Sequence, residues 1–268
     1  MKFINKLENT LLKWIDYFYR IWPQPFPGKE SLTDCKVISH RGEFDNENVF
    51  ENTLSAFETA MEAGVWGIEL DLRWTQDMHP VVIHDPDLRR VFGLSLEIDK
   101  VTFMELKARC PLIPSLKEVV QRYGRTLHLM LEIKAEHYPE PDHQNQVLKD
   151  IFAPLRPQAD FHILTLVPQM FQIINFVPKS TFIPIAQLNF SQISKLALNE
   201  NYRGMAGHYL LLTKALLERH FKQQQKVGTG YIGSKNCLFR ELNRGVEWIF
   251  SNNAAELQKI VHHLLRSH

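Results

Sequence analysis

Five short groups in this sequence carry side chains able to do chemistry: His40-Arg41-Gly42, Glu51-Asn52-Thr53, Glu69-Leu70-Asp71, His84-Asp85 and Glu132-Ile133-Lys134. Glu69 and Asp71 stand two apart in a β-like run, so their side chains leave the same face. Glu132 and Lys134 repeat the arrangement. Three carboxylates brought to one place repel each other, and a hard divalent cation, Mg²⁺ or Ca²⁺, is the natural compensation. An isolated Glu-x-Asp is more often a solvated or salt-bridged pair; the histidines nearby shift the weight towards a metal. His40 and His84 each end a short apolar run, and imidazoles titrate near neutral pH, which suits paired acid and base work. Arg41 presents a planar fork for a phosphate and Lys134 a compact charge, although either can pair with the local acids instead. The set suits chemistry on a phosphate ester beside a divalent metal.

The remaining polar residues leave more than one reading open. Asn52 precedes a helical run beginning at Thr53, so it either caps that helix or reaches the site, and the two roles are compatible. Glu51 stands beside it. Asp85 orients His84 or begins the next turn, and Asp77 shapes the turn before Val81. His128, His137, His262 and His263 suit structural or surface positions, while His208-Tyr209 lies in a β-run from which it would line a pocket.

What must position these groups is an alternation of short β-like and helical runs. The β-like runs are Cys35–Ser39, Gly67–Trp74, Val81–His84, Leu127–Lys134, Phe161–Leu166, Thr181–Gln187, Gly204–Leu211, Val227–Ile232 and Glu247–Ser251. Helical patterns are clearest at Thr53–Ala63, Ser115–Arg122, Gln144–Phe152, Val167–Phe176, Ser191–Asn199, Lys214–Gln225 and Lys235–Arg244. Such alternation predicts a parallel sheet with helical crossovers. Too few residues separate Gly67–Trp74 from Val81–His84 for a helix, so these read as a strand and a short companion. About eight main strands then remain, and 268 residues suit one α/β domain, a (β/α)₈ TIM barrel, in which carboxyl strand ends converge on one mouth. A doubly wound open sheet is the alternative, weakened by the lack of Gly-x-Gly-x-x-Gly after an early strand.

Residues 1–22 read as an amphipathic helix. Phe3, Ile4, Leu7, Leu11, Trp14, Ile15, Phe18, Ile21 and Trp22 take one face, and Lys2, Lys6, Lys13 and Arg20 the other, before Pro23, Pro25 and Pro27. Residues 1–28 are thus expected to be a leader and connector, and 29–268 a single catalytic barrel. The leader packs on the barrel, the favoured reading, or lies in a membrane interface. A net charge of +1 gives no general reason to bind nucleic acid. Three well-separated cysteines suit reduced thiols in the cytosol. No run is long enough to span a bilayer, and the amino terminus lacks the pattern of a signal peptide. A cytoplasmic chain, with peripheral membrane contact through residues 1–22 left open, is the expectation.

The motifs resemble the glycerophosphodiester phosphodiesterase family. The resemblance runs from His40-Arg41-Gly42 through Glu51-Asn52-Thr53, Gly67-Ile68-Glu69-Leu70-Asp71, Thr75-Gln76-Asp77, His84-Asp85, Ile113-Pro114-Ser115-Leu116 and Glu132-Ile133-Lys134. It closes on Ile249-Phe250-Ser251-Asn252, covering roughly residues 36 to 255. It implies a (β/α)₈ barrel that hydrolyses glycerophosphodiesters to glycerol 3-phosphate and an alcohol with a divalent metal. By motif position, Glu69, Asp71 and Glu132 would ligate the metal, and His40 and His84 would form the acid–base pair. Arg41 and Lys134 would hold phosphate, with Glu51 in support. The family also implies a route in which a neighbouring glycerol hydroxyl attacks phosphorus, giving a cyclic phosphate that water opens.

Two departures bear on substrate. The family's Trp-Thr-x-Asn run in the seventh strand reads Gly228-Thr229-Gly230-Tyr231-Ile232-Gly233 here, so an aromatic wall is expected to be missing. Trp248 stands where the family has a small residue, and it is expected to fill space left by Gly230. The family's Ser-Phe after the fourth strand is Thr165-Leu166. A lysophospholipase D acting on lysophospholipids is therefore the alternative to a deacylated-diester hydrolase. A non-catalytic barrel is more remote, because no acid, histidine or lysine of the set is lost.

Overall fold

A computed structural model describes residues 17–267. Its single sheet has nine strands: β1 (Lys36–His40), β2 (Gly67–Trp74), β3 (Pro80–Val82), β4 (His128–Ile133), β5 (Phe161–Thr165), β6 (Phe182–Ala186), β7 (Gly204–His208), β8 (Lys226–Gly230) and β9 (Trp248–Ser251). The order β1-β9-β8-β7-β6-β5-β4-β2, closed by β1 against β2, makes an eight-stranded parallel barrel. β3 is the exception. It runs antiparallel to β2 as a short hairpin companion and stands outside the closed ring.

Alternation along each strand decides what faces where. On β2, Ile68, Leu70 and Leu72 face the surrounding helices in the main core, and Glu69 and Asp71 take the opposite face. Ile38, Met130, Leu164, Ile183, Ala206, Trp248 and Phe250 fill the barrel interior as a separate cluster. Trp248 does not fill space at Gly230. It lies level with Gly228 in the β8–β9 register, and a Cβ at Gly230 would meet nothing within 4 Å. The ring that needs a glycine is Phe250, whose edge would stand 2.8 Å from a Cβ on Gly228.

Below this layer two imidazoles are buried together. His128 Nδ1 lies 3.1 Å from the Ala159 carbonyl, which can only accept, so that nitrogen carries the proton. His128 Nε2 then accepts from His162 Nδ1 at 2.7 Å. Trp66 stacks on His128 at 4.1 Å, Trp248 meets His162 edge-on, and His162 Nε2 has no hydrogen-bond partner.

Most helices fall where the patterns put them, Lys29–Asp34 adds one that no pattern marked, and two further stretches differ. Val167–Phe176 forms only a 3₁₀ turn, Pro168–Ile173. Ile173, Ile174 and Val177 are β-branched and Pro178 follows, so a two-turn α-helix is not supported. The segment after β3 builds a small core of its own from Val81, Ile83, Leu88, Ile98, Leu106 and Ile113. It carries the short helix Arg89–Phe92 and a helix, Phe103–Arg109, with a Thr102/Glu105 capping box. Asp77 does shape the preceding turn, accepting from Thr75 Oγ1 and the Phe103 amide.

Most of the expected leader helix lies outside the described residues; residues 17–21 are helical. Tyr19 packs edge-on to Tyr209 under Arg240, and Asn236 donates to the Arg20 carbonyl. Tyr17, Phe18, Ile21 and Trp22 remain exposed. One side of this segment therefore docks on the barrel while its other side stays open. Among the described residues, no helix is long and apolar enough to cross a membrane. Cys35, Cys110 and Cys237 are free thiols.

Candidate active site

Register brings the polar groups together. His40 is level with Glu69 across β1–β2, and Asp71 is level with Glu132 across β2–β4. Lys134 follows β4 immediately. All stand at carboxyl ends of adjacent strands, where a parallel barrel collects its reactive groups.

The turn after β1 sets Arg41. Arg41 has φ +62, and its amide donates to the Glu69 carbonyl at 3.0 Å. Gly42, at φ +80, packs so closely that a Cβ would stand 2.7 Å from the backbone of Ala56. This explains a glycine after His-Arg: both the left-handed backbone and the close approach exclude a side chain. Asn52, also left-handed at φ +58, donates from Nδ2 to Asp71 Oδ2 at 2.8 Å and accepts from the Asp71 amide. It reaches the site and does not cap the helix. Thr53 is the cap, accepting from the Ala56 amide.

Glu69, Asp71 and Glu132 are buried and offer ligand oxygens within 4.8 Å of one another. Lys134 Nζ lies 2.5 Å from Asp71 Oδ1 and from Glu132 Oε1, and Arg41 Nε lies 3.2 Å from Asp71 Oδ2. Burial pushes the Glu69 carboxyl well above its ordinary value, and Asp71 and Glu132 beside it push further. Burial also raises Glu132, against the pull of Lys134. Asp71 faces the same burial penalty, but Lys134 and Arg41 outweigh it and hold the carboxyl down. Glu69 Oε1 is buried with no hydrogen-bond partner. That orphaned oxygen and the all-oxygen donor set fit a hard divalent cation. With all three carboxylates ionised, they and the two basic side chains sum to one negative charge, which a divalent ion would turn to one positive.

The two imidazoles are each tied at Nδ1. His40 Nδ1 donates to Asn252 Oδ1 at 2.6 Å, with its Nε2 3.7 Å from Glu69 Oε2. His84 Nδ1 donates to Asp85 Oδ1 at 2.6 Å. Each ring thereby keeps Nε2 outside its anchoring bond. Burial pushes His40 down to about 4, with Arg41 adding to the effect. Burial lowers His84 as well, opposed by the Asp71 charge and by Asp85. Glu51 stands behind Arg41, accepting from its Nη1 at 2.9 Å and from Asn46 and Arg90. Burial would raise Glu51, but the hydrogen bonds from Arg90 and Asn46 prevail and bring it to about 2.

The sequence reading missed Asn252, whose partner lies 212 residues away, and the second role of Asp85, whose other oxygen accepts from Arg90. It also expected the family's aromatic wall to be missing from residues 228–233 and gave Tyr231 no role. Tyr231, at φ +69 and 70% exposed, stacks on His208 at 4.7 Å. The mouth is thus two-sided. Ionic groups follow β1, β2 and β4, while exposed Leu166, Val167, Leu188 and Tyr231 follow β5, β6 and β8.

Comparison with known proteins finds relatives of this sequence and of this fold. The model of the glycerophosphoryl diester phosphodiesterase family matches residues 40–202. A glycerophosphodiester phosphodiesterase of Caldanaerobacter subterraneus subsp. tengcongensis is 37% identical over 127 residues, 43% of this chain and 51% of that protein. Lysophospholipase D GDPD1 of Homo sapiens is 34% identical over 108 residues, 34% of each chain. The chain spans about half the length of the first of these relatives, and less of the second. An Oleispira antarctica phosphodiesterase, solved with its product sn-glycerol-3-phosphate, shares the fold with a TM-score of 0.68 at 20% identity. That match covers 85% of this chain and 96% of the other.

Proposed function

This chain belongs to the glycerophosphoryl diester phosphodiesterase family, and from that premise we propose that it hydrolyses glycerophosphodiesters to glycerol 3-phosphate and an alcohol. The observation that carries the reading is the buried Glu69–Asp71–Glu132 cluster with two Nδ1-anchored imidazoles at the same mouth. Glu69, Asp71 and Glu132 would hold the Mg²⁺ or Ca²⁺, which when bound supplies charge neutralisation at the phosphoryl oxygens. Arg41 and Lys134 bind and orient the phosphate, and Glu51 keeps the Arg41 fork in place. His40, held neutral by burial, takes the proton of the attacking glycerol hydroxyl at Nε2. His84 is favoured as the acid, because the Asp85 carboxylate on Nδ1 supports its charged form while Nε2–H protonates the departing alkoxide. The cyclic phosphate that results is opened by water, the two imidazoles exchanging roles.

The test is release of glycerol 3-phosphate from glycerophosphocholine and glycerophosphoethanolamine in a coupled assay. Activity in the wild type, lost in His40→Ala and in excess EDTA, supports the proposal. Activity that survives either change contradicts it.

One observation favours a second reading, a lysophospholipase D. The apolar half of the mouth and the exposed Tyr17, Phe18, Ile21 and Trp22 suit an acyl chain presented at a lipid surface. Faster turnover of lysophosphatidylcholine than of glycerophosphocholine would favour it. So would liposome binding that is lost on removing residues 1–28, and no binding by the full chain would end the membrane part of it.

A further inference from the structure

The hydrogen bonds around Glu51 single out a residue outside the set just described. Arg90 lies on the short helix Arg89–Phe92, in the segment inserted after β3. Its Nη1 and Nη2 donate to the two Glu51 oxygens at 2.9 and 2.6 Å, and its Nε donates to Asp85 Oδ2 at 2.6 Å. Glu51 in turn accepts from Arg41, and the other Asp85 oxygen accepts from His84 Nδ1. One guanidinium therefore joins the carboxylate behind the phosphate-binding arginine to the carboxylate behind the acid–base histidine. The joined pieces come from different parts of the chain, the loop after β1 and the loop after β3.

We propose that Arg90 is a positioning residue for the reaction: by holding Glu51 and Asp85 together, it sets the aim of Arg41 and the tautomer of His84 at once. Only a planar fork can do this. A lysine ammonium can touch two carboxylates, as Lys134 does, but it cannot grip both Glu51 oxygens and Asp85 in one fixed plane. The Arg90 side chain is 47% exposed, so its pairs contribute little to folding in water. Its removal should be felt in the chemistry far more than in stability. This inference rests on the proposed phosphodiesterase reading, and its test keeps the two apart.

The experiment compares wild type, Arg90→Ala and Arg90→Lys on glycerophosphocholine with saturating Mg²⁺. Loss of a group that orients a reacting residue typically costs about 10- to 100-fold, so kcat of Arg90→Ala should fall by that factor. KM should rise as well, by a smaller factor than kcat falls, because Arg41, whose aim the fork sets, holds the phosphate. Arg90→Lys should recover only part of the loss, and millimolar guanidinium should restore part of it in Arg90→Ala. Added to His84→Ala, the Arg90→Ala change should cost less than it does alone, because the histidine it positions is gone. Arg90→Ala with kcat within twofold of an active wild type, or equal losses with and without His84, overturns the proposal. ¹⁵N imidazole spectra give a readout without turnover. His84 should lose the signature of a single Asp85-bound Nδ1–H in Arg90→Ala, or in Arg90→Lys should the alanine variant not fold. An unchanged His84 spectrum overturns the Arg90 role. An inactive wild type overturns the phosphodiesterase reading and leaves the Arg90 role to be decided by the spectrum.

Discussion

The buried pair His128–His162 makes a quantitative prediction about acid stability. Burial pushes His128 down to about 4 and His162 down to about 2, with Lys36 and Arg203 adding to the effect and Asp160 opposing it at His128. An exposed imidazole has its ordinary value near 6.5. Folded-state values below unfolded ones mean that the unfolded chain binds more protons under pH 6.5. Stability therefore falls as pH drops from 6.5 towards the folded values. At pH 5 the unfolded chain gains from 1.5 units of protonation at each ring, about 2 kcal/mol per imidazole and about 4 kcal/mol for the pair. Replacing both rings, as His128→Phe with His162→Leu, removes this sensitivity and keeps a ring against Trp66. Urea unfolding followed by circular dichroism at pH 7.5 and pH 5 measures the difference. The double variant should lose about 4 kcal/mol less than wild type over that interval. The other titrating groups are common to both chains and cancel. Equal losses in the two proteins would show that these rings do not remain neutral when folded.

Three further outcomes follow from the site. Gly42→Ala places a Cβ against Ala56 at φ +80, and should cost about 1–3 kcal/mol in urea unfolding and lower kcat/KM by displacing Arg41. Lys134→Met leaves Asp71 and Glu132 without their ammonium, and in metal-free buffer should destabilise the protein by about 3–5 kcal/mol, part of which millimolar Mg²⁺ or Ca²⁺ restores. Glu69→Gln should behave differently. Burial and like charge already penalise that carboxylate, so the variant should be no less stable than wild type in EDTA. In a thermal melt, however, it should lose the rise in midpoint that divalent metal gives wild type.

The barrel was legible because its strands repeat one pattern, apolar residues facing the helices and a change of character at the carboxyl end. His40, Glu69, Asp71, Glu132 and Lys134 could be found for that reason, and the β2–β3 hairpin because its connection is too short for a helix. What was not legible depends on register or on distant partners. Trp248 was expected beside Gly230, but neighbouring strands are offset, and Trp248 comes level with Gly228 instead. Asn252 carries no local pattern that marks it as the partner of His40. The segment after β3 folds on irregular turns and two short helices, which present too few residues for a period, so Arg90 could not be placed. Tyr231 went unread as an aromatic wall because it stands one position past its strand, in a left-handed backbone no composition signals.

The bond between His40 and Asn252 also bears on how the protein is made. β1 is the first strand of the ring to be synthesised and β9 the last, yet β1 has its place only between β2 and β9. Until Asn252 emerges and the last strand docks, nothing holds the first imidazole in its working tautomer. A chain lacking that strand would still carry Glu69, Asp71 and Glu132, but its ring would stay open beside β1 and its His40 imidazole unanchored.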